Sequence, residues 1–333
     1  MVYKKNDRSK WRANPTGKTY NNGNFSDSNR VQAKKYLGQH FLRNAAVAEQ
    51  IAESLKGEEL KGAELDPSNL DISKGQEQGQ GQEQVFSLKN VLEIGPGMGI
   101  LTQFLWKNTQ WEVKLVEIDR ESVIYLQNHF PTHTGDGKLI EADFLRMNLT
   151  QVFRGEKFGI IGNFPYNISS QILFKVLENK ELVPMVVGMF QKEVAERVAA
   201  SAGSKTYGIL SVLLQAFYDI EYLFTVEPDQ FTPPPQVRSG VIRLKRNGVS
   251  KLDCNEKLFV NVVKTAFNQR RKTLRNALNS LALEYSSVET NPKKGRASAI
   301  STIPADYLGQ RAEQLSVADF VKITQAIEKL REV

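Results

Sequence analysis

The sequence predicts a parallel, doubly wound α/β sheet followed by a smaller all-helical domain. Three observations carry that expectation. From residue 89 onward, short apolar runs alternate with longer amphipathic segments, the pattern of strands joined by crossover helices. The first run, Asn90-Val91-Leu92-Glu93-Ile94, ends directly in Gly95-Pro96-Gly97-Met98-Gly99, a strand running into a glycine-rich turn. After about residue 250 the strand signals stop and helical spacing takes over.

The elements follow in chain order. Residues 1–35 hold nine Lys and Arg against two Asp, so they carry the whole net charge of +7 and the rest of the chain is neutral. A basic arm on a neutral body suits a polyanion, although a solubilising tail has the same composition. Its Asn21-Asn22-Gly23-Asn24 run argues against a fixed fold, so residues 1–32 are expected to be disordered. Residues 44–56 space Ala45, Val47, Ala48, Ile51, Ala52 and Leu55 as an amphipathic helix. The Gly/Gln/Glu tract at 75–84 cannot bury enough apolar surface to offset its ordering, so 58–85 is expected to be a mobile surface insertion.

Strands are predicted at 90–94, 112–118, 138–141, 158–162, 183–190, 220–226 and 237–245. Helices are predicted at 100–107, 121–129, 168–179, 191–201 and 207–217. The last two strands follow one another without a helix, which implies an antiparallel hairpin at one edge. Pro233-Pro234-Pro235 between them excludes helix and implies an extended loop. Residues 255–280, 294–300, 304–310 and 316–331 read as helices of a second domain, 251–333, after a main domain of 33–250.

Composition narrows the function. Hydrophobic content of 41% and charged content of 24% are those of an ordinary soluble protein. No apolar run is long enough to span a membrane, and the N-terminus lacks the apolar core of a signal peptide, so a cytoplasmic protein is expected. One cysteine, Cys254, excludes an internal disulfide, and three histidines make a metal centre improbable.

The chemistry sits at strand ends. Gly95, Gly97 and Gly99 allow backbone to approach a ligand closely, but their spacing is not the dinucleotide fingerprint. Glu117 ends the second strand beside Ile118, where a carboxylate accepts ribose hydroxyls; Asp119 reads as a solvated strand-end charge. Asp143 follows the third strand, placed to accept from an adenine amino group with Phe144 against the ring. An adenosine group without a phosphate-binding lysine motif points to S-adenosylmethionine. Asn163-Phe164-Pro165-Tyr166 follows the fourth strand. Asn163 Oδ1 and the Phe164 or Pro165 carbonyl can each accept one N–H of a planar amino group while Tyr166 stacks on its ring. That arrangement suits methyl transfer to the exocyclic nitrogen of an unstacked base. Lys264, Arg270, Arg271, Lys272 and Arg275 lie in an acid-free stretch and are candidates for RNA phosphates.

These residues resemble the bacterial small-subunit ribosomal RNA adenine N6,N6-dimethyltransferases, the kasugamycin-resistance family. The resemblance covers roughly residues 33–333. It rests on Tyr36-Leu37-Gly38-Gln39-His40-Phe41-Leu42, Glu93-Ile94-Gly95-Pro96-Gly97, Val116-Glu117-Ile118-Asp119 and Asn163-Phe164-Pro165-Tyr166-Asn167-Ile168-Ser169. Gln191-Lys192-Glu193-Val194-Ala195-Glu196-Arg197, Phe231-Thr232-Pro233-Pro234-Pro235-Gln236-Val237 and Ala266-Phe267-Asn268-Gln269-Arg270-Arg271-Lys272 extend it.

The resemblance implies a Rossmann-like methyltransferase sheet, S-adenosylmethionine as methyl donor, and dimethylation of two adjacent adenosines in the 3′-terminal hairpin loop of small-subunit ribosomal RNA. The partner is the assembling small subunit and the enzyme a monomer. It also implies that Gln39, His40 and Leu42 cover the cofactor, that Gly95, Glu117, Asp143 and Asn163 bind it, and that Asn163 to Tyr166 hold the base. With the neighbours Gly97, Ile118 and Phe144, these form the candidate cofactor set; Asn163, Pro165 and Tyr166 form the catalytic set.

The family usually has Asn where His40 stands and Leu where Phe164 stands, so binding is expected to survive at His40 and the base pocket to be reshaped at Phe164. The arm and the insertion lie outside the family pattern. Three alternatives stand beside this reading: a large-subunit adenine dimethylase, a DNA adenine methyltransferase and a non-catalytic assembly factor.

Overall fold

A computed structural model describes residues 31–56, 88–286 and 299–331. The expectations for the basic arm, for the 58–85 insertion and for most of the 294–300 helix lie outside those residues.

Among the described residues, seven strands form one sheet: β2 (Asn90–Ile94), β3 (Glu112–Glu117), β4 (Leu139–Glu141), β5 (Gly159–Asn163), β6 (Met185–Gln191), β7 (Tyr218–Val226) and β9 (Ser239–Arg246). Their spatial order is β4-β3-β2-β5-β6-β9-β7. The first five are parallel; β9 runs antiparallel to both β6 and β7, which makes the predicted edge hairpin. The strand order reverses at β2, so the crevice beyond its carboxyl end lies at the switch point where open α/β sheets bind ligands.

Side-chain alternation divides the sheet into two apolar faces. Val91, Leu115, Ile161 and Val187 pack with helix Ala45–Glu53 and helix Thr102–Leu105. Leu92, Val116, Ile160 and Val186 face the other way, toward helices Ser169–Glu178 and Ile209–Gln215. The same cluster continues through Phe259, Val262 and Phe267 of helix Glu256–Asn268 into Phe320 and Ile323 of helix Val317–Glu328. The helices after residue 250 therefore share the core on that face of the sheet.

Two local expectations change. The 255–280 stretch is three helices, Glu256–Asn268, Leu274–Ala277 and Asn279–Tyr285. The first ends where Arg270, Arg271 and Lys272 crowd like charges together, and Gln269 Nε2 bridges the break to the Ala277 carbonyl at 2.9 Å. The proline loop is preceded by a short strand, β8 (Phe231–Thr232), which pairs antiparallel with β1 (Phe41–Leu42). Two residues per strand are too few to show an alternation pattern, so the pair has no signature in sequence.

No helix among the described residues is long and apolar enough to cross a membrane.

Candidate active site

Four strand ends meet at the switch point. Beyond β2, Gly95 and Gly97 adopt φ of +66° and +56°, which side chains rarely take. An added Cβ at Gly95 meets nothing within 4 Å, so its backbone borders open space, whereas one at Gly97 falls 2.9 Å from the Phe41 ring. Glu117 at the end of β3 is 4% exposed. Its Oε1 accepts from the N–H groups of Ile118 and Asp119 at 2.9 Å each, and its Oε2 from Gly97 N–H at 3.1 Å. Burial pushes this carboxyl up, and the three N–H groups pull it back. With those bonds made, Oε2 keeps room for about one more donor.

The cavity is bordered further by Ile118, Asp143, Phe144 and Asn163. Ile118 is 52% exposed, an apolar platform at the rim. Asp143 Oδ1 accepts from Leu145 N–H at 2.9 Å and Oδ2 faces Arg146 Nε at 3.4 Å. Phe144 is buried, with Lys175 Nζ 5.6 Å above its ring. Lys175 also donates to the carbonyls of Leu145 and Met147, fixing this loop to helix Ser169–Glu178.

At the end of β5, Asn163 Nδ2 donates to the His40 carbonyl at 2.8 Å. That commitment orients the amide, leaving Oδ1 as its acceptor. In the turn that follows, the Pro165 carbonyl accepts from Ile168 N–H and the Tyr166 carbonyl from Ser169 Oγ. The Phe164 carbonyl accepts no hydrogen bond among the described residues, which singles it out from Pro165. The Tyr166 hydroxyl bonds Ser239 Oγ at 2.6 Å and its ring lies 5.5 Å from that of His40. Burial pushes the Tyr166 phenol up from its ordinary value, against a smaller pull from Ser239.

Residues 34–42 cross the cavity as a strap. Leu37, Gly38, Gln39, His40 and Phe41 border it; Leu42 is instead buried in the core below. The missed contributor is thus Phe41, one position earlier on the opposite face of β1. His40 Nδ1–H donates to the Pro233 carbonyl at 2.9 Å. Gln39 Nε2 donates to Asp119, and Lys34 Nζ pairs with Asp119 and with Glu121.

Asp119 corrects the expectation of a solvated charge. It is 3% exposed and caps helix Arg120–His129 through Glu121 N–H and Ser122 Oγ. Burial pushes its carboxyl up, but Lys34, Gln39, Ser122 and Glu121 N–H outweigh that and hold it below its usual range. The capping signal, Asp before a helix with Ser three residues on, was present in the sequence.

The Phe164 expectation also changes. Its ring is 1% exposed, packed edge-on to Phe190 and over Gly162 and Gly188, so its bulk is taken up by the core while the residue still borders the cavity. Sequence reasoning missed Glu93 as well. It is 1% exposed beneath the glycine turn, and burial pushes its carboxyl up to about 8, with Thr102 pulling it down and Glu117 pushing it up. Thr102 Oγ1 faces it without a well-aligned hydrogen bond, and Glu93 Oε2 has no partner among the described residues.

Of the phosphate candidates, Lys264, Arg271, Lys272 and Arg275 are exposed. Lys264 lies with Nζ 5.6 Å above the Phe174 ring. Arg270 is partly exposed and braced: Nη2 donates to the Lys205 carbonyl at 2.6 Å and Nε faces Glu313 at 3.5 Å.

Known proteins resemble this chain over most of its length. A ribosomal RNA small subunit methyltransferase A from Cytophaga hutchinsonii is 50% identical over 298 residues, covering 90% of this chain and 98% of that protein. One from Bacteroides thetaiotaomicron is 47% identical over 300 residues, covering 90% and 95%. Among solved structures, a dimethyladenosine transferase from Plasmodium falciparum superposes with a TM-score of 0.68 at 23% identity over 87% of this chain and 98% of that one. The 23S rRNA methyltransferase ErmE gives 0.56 at 21% identity over 86% and 99%; both show the fold. The model of a family described as ribosomal RNA adenine dimethylase matches residues 30–291, and the chain belongs to that family.

Proposed function

We propose that this enzyme transfers methyl groups from S-adenosylmethionine to N6 of two adjacent adenosines in the 3′-terminal hairpin loop of small-subunit ribosomal RNA. It acts as a monomer, in the cytoplasm, on the assembling subunit. The observation that carries this reading is the Asn163 amide, turned by the His40 carbonyl so that Oδ1 faces its acceptor role beside a cavity bordered by Gly95, Glu117 and Asp143.

The residues present fit S-adenosylmethionine. Open space at Gly95 admits a ligand against the backbone, buried Glu117 retains an acceptor for a ribose hydroxyl, and Asp143 and Ile118 suit an adenine edge and face. Bound there, S-adenosylmethionine supplies an electrophilic methyl carbon on a sulfonium. The chain's own work is to position the nucleophile. Asn163 Oδ1 accepts one N6–H and the Phe164 carbonyl the other, which directs the nitrogen lone pair toward the donor. Tyr166 stacks on the adenine, its ring plane fixed by Ser239 and His40. No strong base is needed, because the methylated nitrogen is acidic enough to lose its proton to water. The strap excludes solvent from the donor. In this reading residues 33–250 carry the chemistry, while residues 251–333 hold RNA phosphates through Arg271, Lys272 and Arg275, with Lys264 at the margin and Arg270 braced against Lys205 and Glu313 beside them.

Methyl transfer from radiolabelled S-adenosylmethionine to small subunits lacking the modification tests this, with large subunits and duplex DNA as parallel acceptors. Label confined to adjacent adenosines of the small subunit is the expected result. Label in the large subunit or in DNA moves the substrate, and cofactor binding without label anywhere leaves an assembly factor.

A further inference from the structure

Among the described residues the exposed large apolar side chains are Tyr36, Ile118, Ile124, Val237 and Val249, and three of them, Tyr36, Ile118 and Val237, stand on or close in sequence to residues of the cavity and its turn. Ile118 borders the cavity, Tyr36 precedes the bordering pair Leu37 and Gly38, and Val237 lies two residues before Ser239, the partner of Tyr166. Exposed apolar side chains that cluster, rather than scatter, mark a binding surface. Tyr36 is the only aromatic of the five and the most exposed, at 75%.

Its backbone is held in place. Tyr36 lies in the single turn Lys35–Leu37, closed by Gly38 N–H to the Lys35 carbonyl at 3.0 Å. Its own carbonyl accepts from Asn167 Nδ2 at 3.3 Å. Gly38 fits so closely that an added Cβ would lie 2.7 Å from Asn167 Oδ1. Asn167 directly follows Tyr166. The strap therefore carries Tyr36 in fixed register with the turn that accepts the target base, with its ring in solvent and the exposed Lys35 beside it. A fixed aromatic face next to a cation is how sequence-tolerant sites hold an unpaired base.

We infer that Tyr36 is a stacking platform for the nucleotide next to the target adenosine, a substrate-binding residue outside the base pocket. The inference rests on the proposed function, since its ligand is the single-stranded flank of that adenosine. When one base leaves the stack to enter the pocket, its neighbour loses a stacking face. Tyr36 replaces that face at the pocket rim. Any unpaired base fits, so Tyr36 contributes affinity without choosing sequence.

The test compares wild type with Tyr36→Ala and Tyr36→Phe. Affinity for unmethylated small subunits is measured with S-adenosylhomocysteine present, which needs no reaction, and kcat/KM is measured on the same subunits. Tyr36→Ala is expected to lower both about tenfold, at the low end of base–aromatic stacking. Tyr36→Phe, which keeps the ring, is expected to stay within about twofold of wild type. Affinity for S-adenosylmethionine alone is expected to be unchanged in both. The platform is overturned if Tyr36→Ala binds subunits as wild type does, if Tyr36→Phe is as weak as Tyr36→Ala, or if cofactor affinity falls in parallel, which would make Tyr36 a packing residue of the strap. A wild-type enzyme that methylates no small-subunit adenosine overturns the proposed function instead, and the binding comparison still decides whether Tyr36 meets RNA.

Discussion

On the proposed reading, the direction of the Asn163 amide decides what the pocket accepts. With Nδ2 on the His40 carbonyl, Oδ1 is an acceptor for an amino group. Asn163→Ala is expected to reduce methyl transfer roughly 100-fold, as when an oriented polar group is removed from a reacting centre. Subunit affinity is expected to remain near wild type, and a parallel loss in a filter-binding assay would contradict that division of labour. Glu93 makes a different kind of demand. Its carboxyl sits at about 8 in the fold, against 4.5 when exposed, so the folded state holds a proton that the unfolded chain releases. Stability from this residue is complete below about pH 4.5 and is lost as pH rises to about 8. Glu93→Gln is expected to abolish that loss, a relative gain on the order of 4 kcal/mol by pH 8. Denaturant melts from pH 5 to 9 check it; parallel curves for the two proteins would show that Glu93 ionises freely in the fold. Phe164 and Gly188 form a third case. A Cβ at Gly188 would lie 2.3 Å from the Phe164 ring, so Gly188→Ala is expected to cost about 1–3 kcal/mol. Adding Phe164→Leu is expected to restore part of it, a coupling that a double-mutant cycle measures directly.

Between elements, the strap is the decisive connection. It is fastened at Asp119 by Lys34 and Gln39, at Asn163 by the His40 carbonyl, and at β8 by strand pairing. Lys34→Ala is expected to weaken S-adenosylmethionine binding about threefold, since partly exposed ion pairs contribute modestly. The same calorimetric titration at high salt is expected to bring wild type and variant together, because screening removes what the variant lacks. The main elements were legible because their cause is local. Val91, Leu92 and Ile94 are apolar on both faces, as a central parallel strand requires, and Gly95 and Gly97 mark positive φ. Glu117, Asp143 and Asn163 were legible for the same reason, as strand ends in order. The β1–β8 pair, the burial of Asp119 and the inward turn of Phe164 were not. Each depends on a partner far along the chain (Phe231, Lys34 and Gly188), and no window of sequence contains both members.

Across the whole molecule, charge and chemistry are separated. The exposed cations Arg271, Lys272 and Arg275 lie beyond the sheet, and the net charge of the chain resides in its first 35 residues. Replacing those three cations with Ala is expected to lower the salt dependence of subunit binding by about one in slope for each phosphate no longer neutralised, with cofactor affinity unchanged. Removing residues 1–30 is expected to act in the same direction, and an unchanged slope would make the arm a passive tail. The fastening of His40 to Pro233 joins positions 193 residues apart. During synthesis, which proceeds from the N-terminus, the glycine turn, Glu117 and Asn163 all leave the ribosome well before Phe231 and Pro233. A nascent chain halted at residue 230 would hold the floor of the site without the clasp that closes it. On the proposed reading, cofactor retention is expected to mark a chain that has reached Pro233.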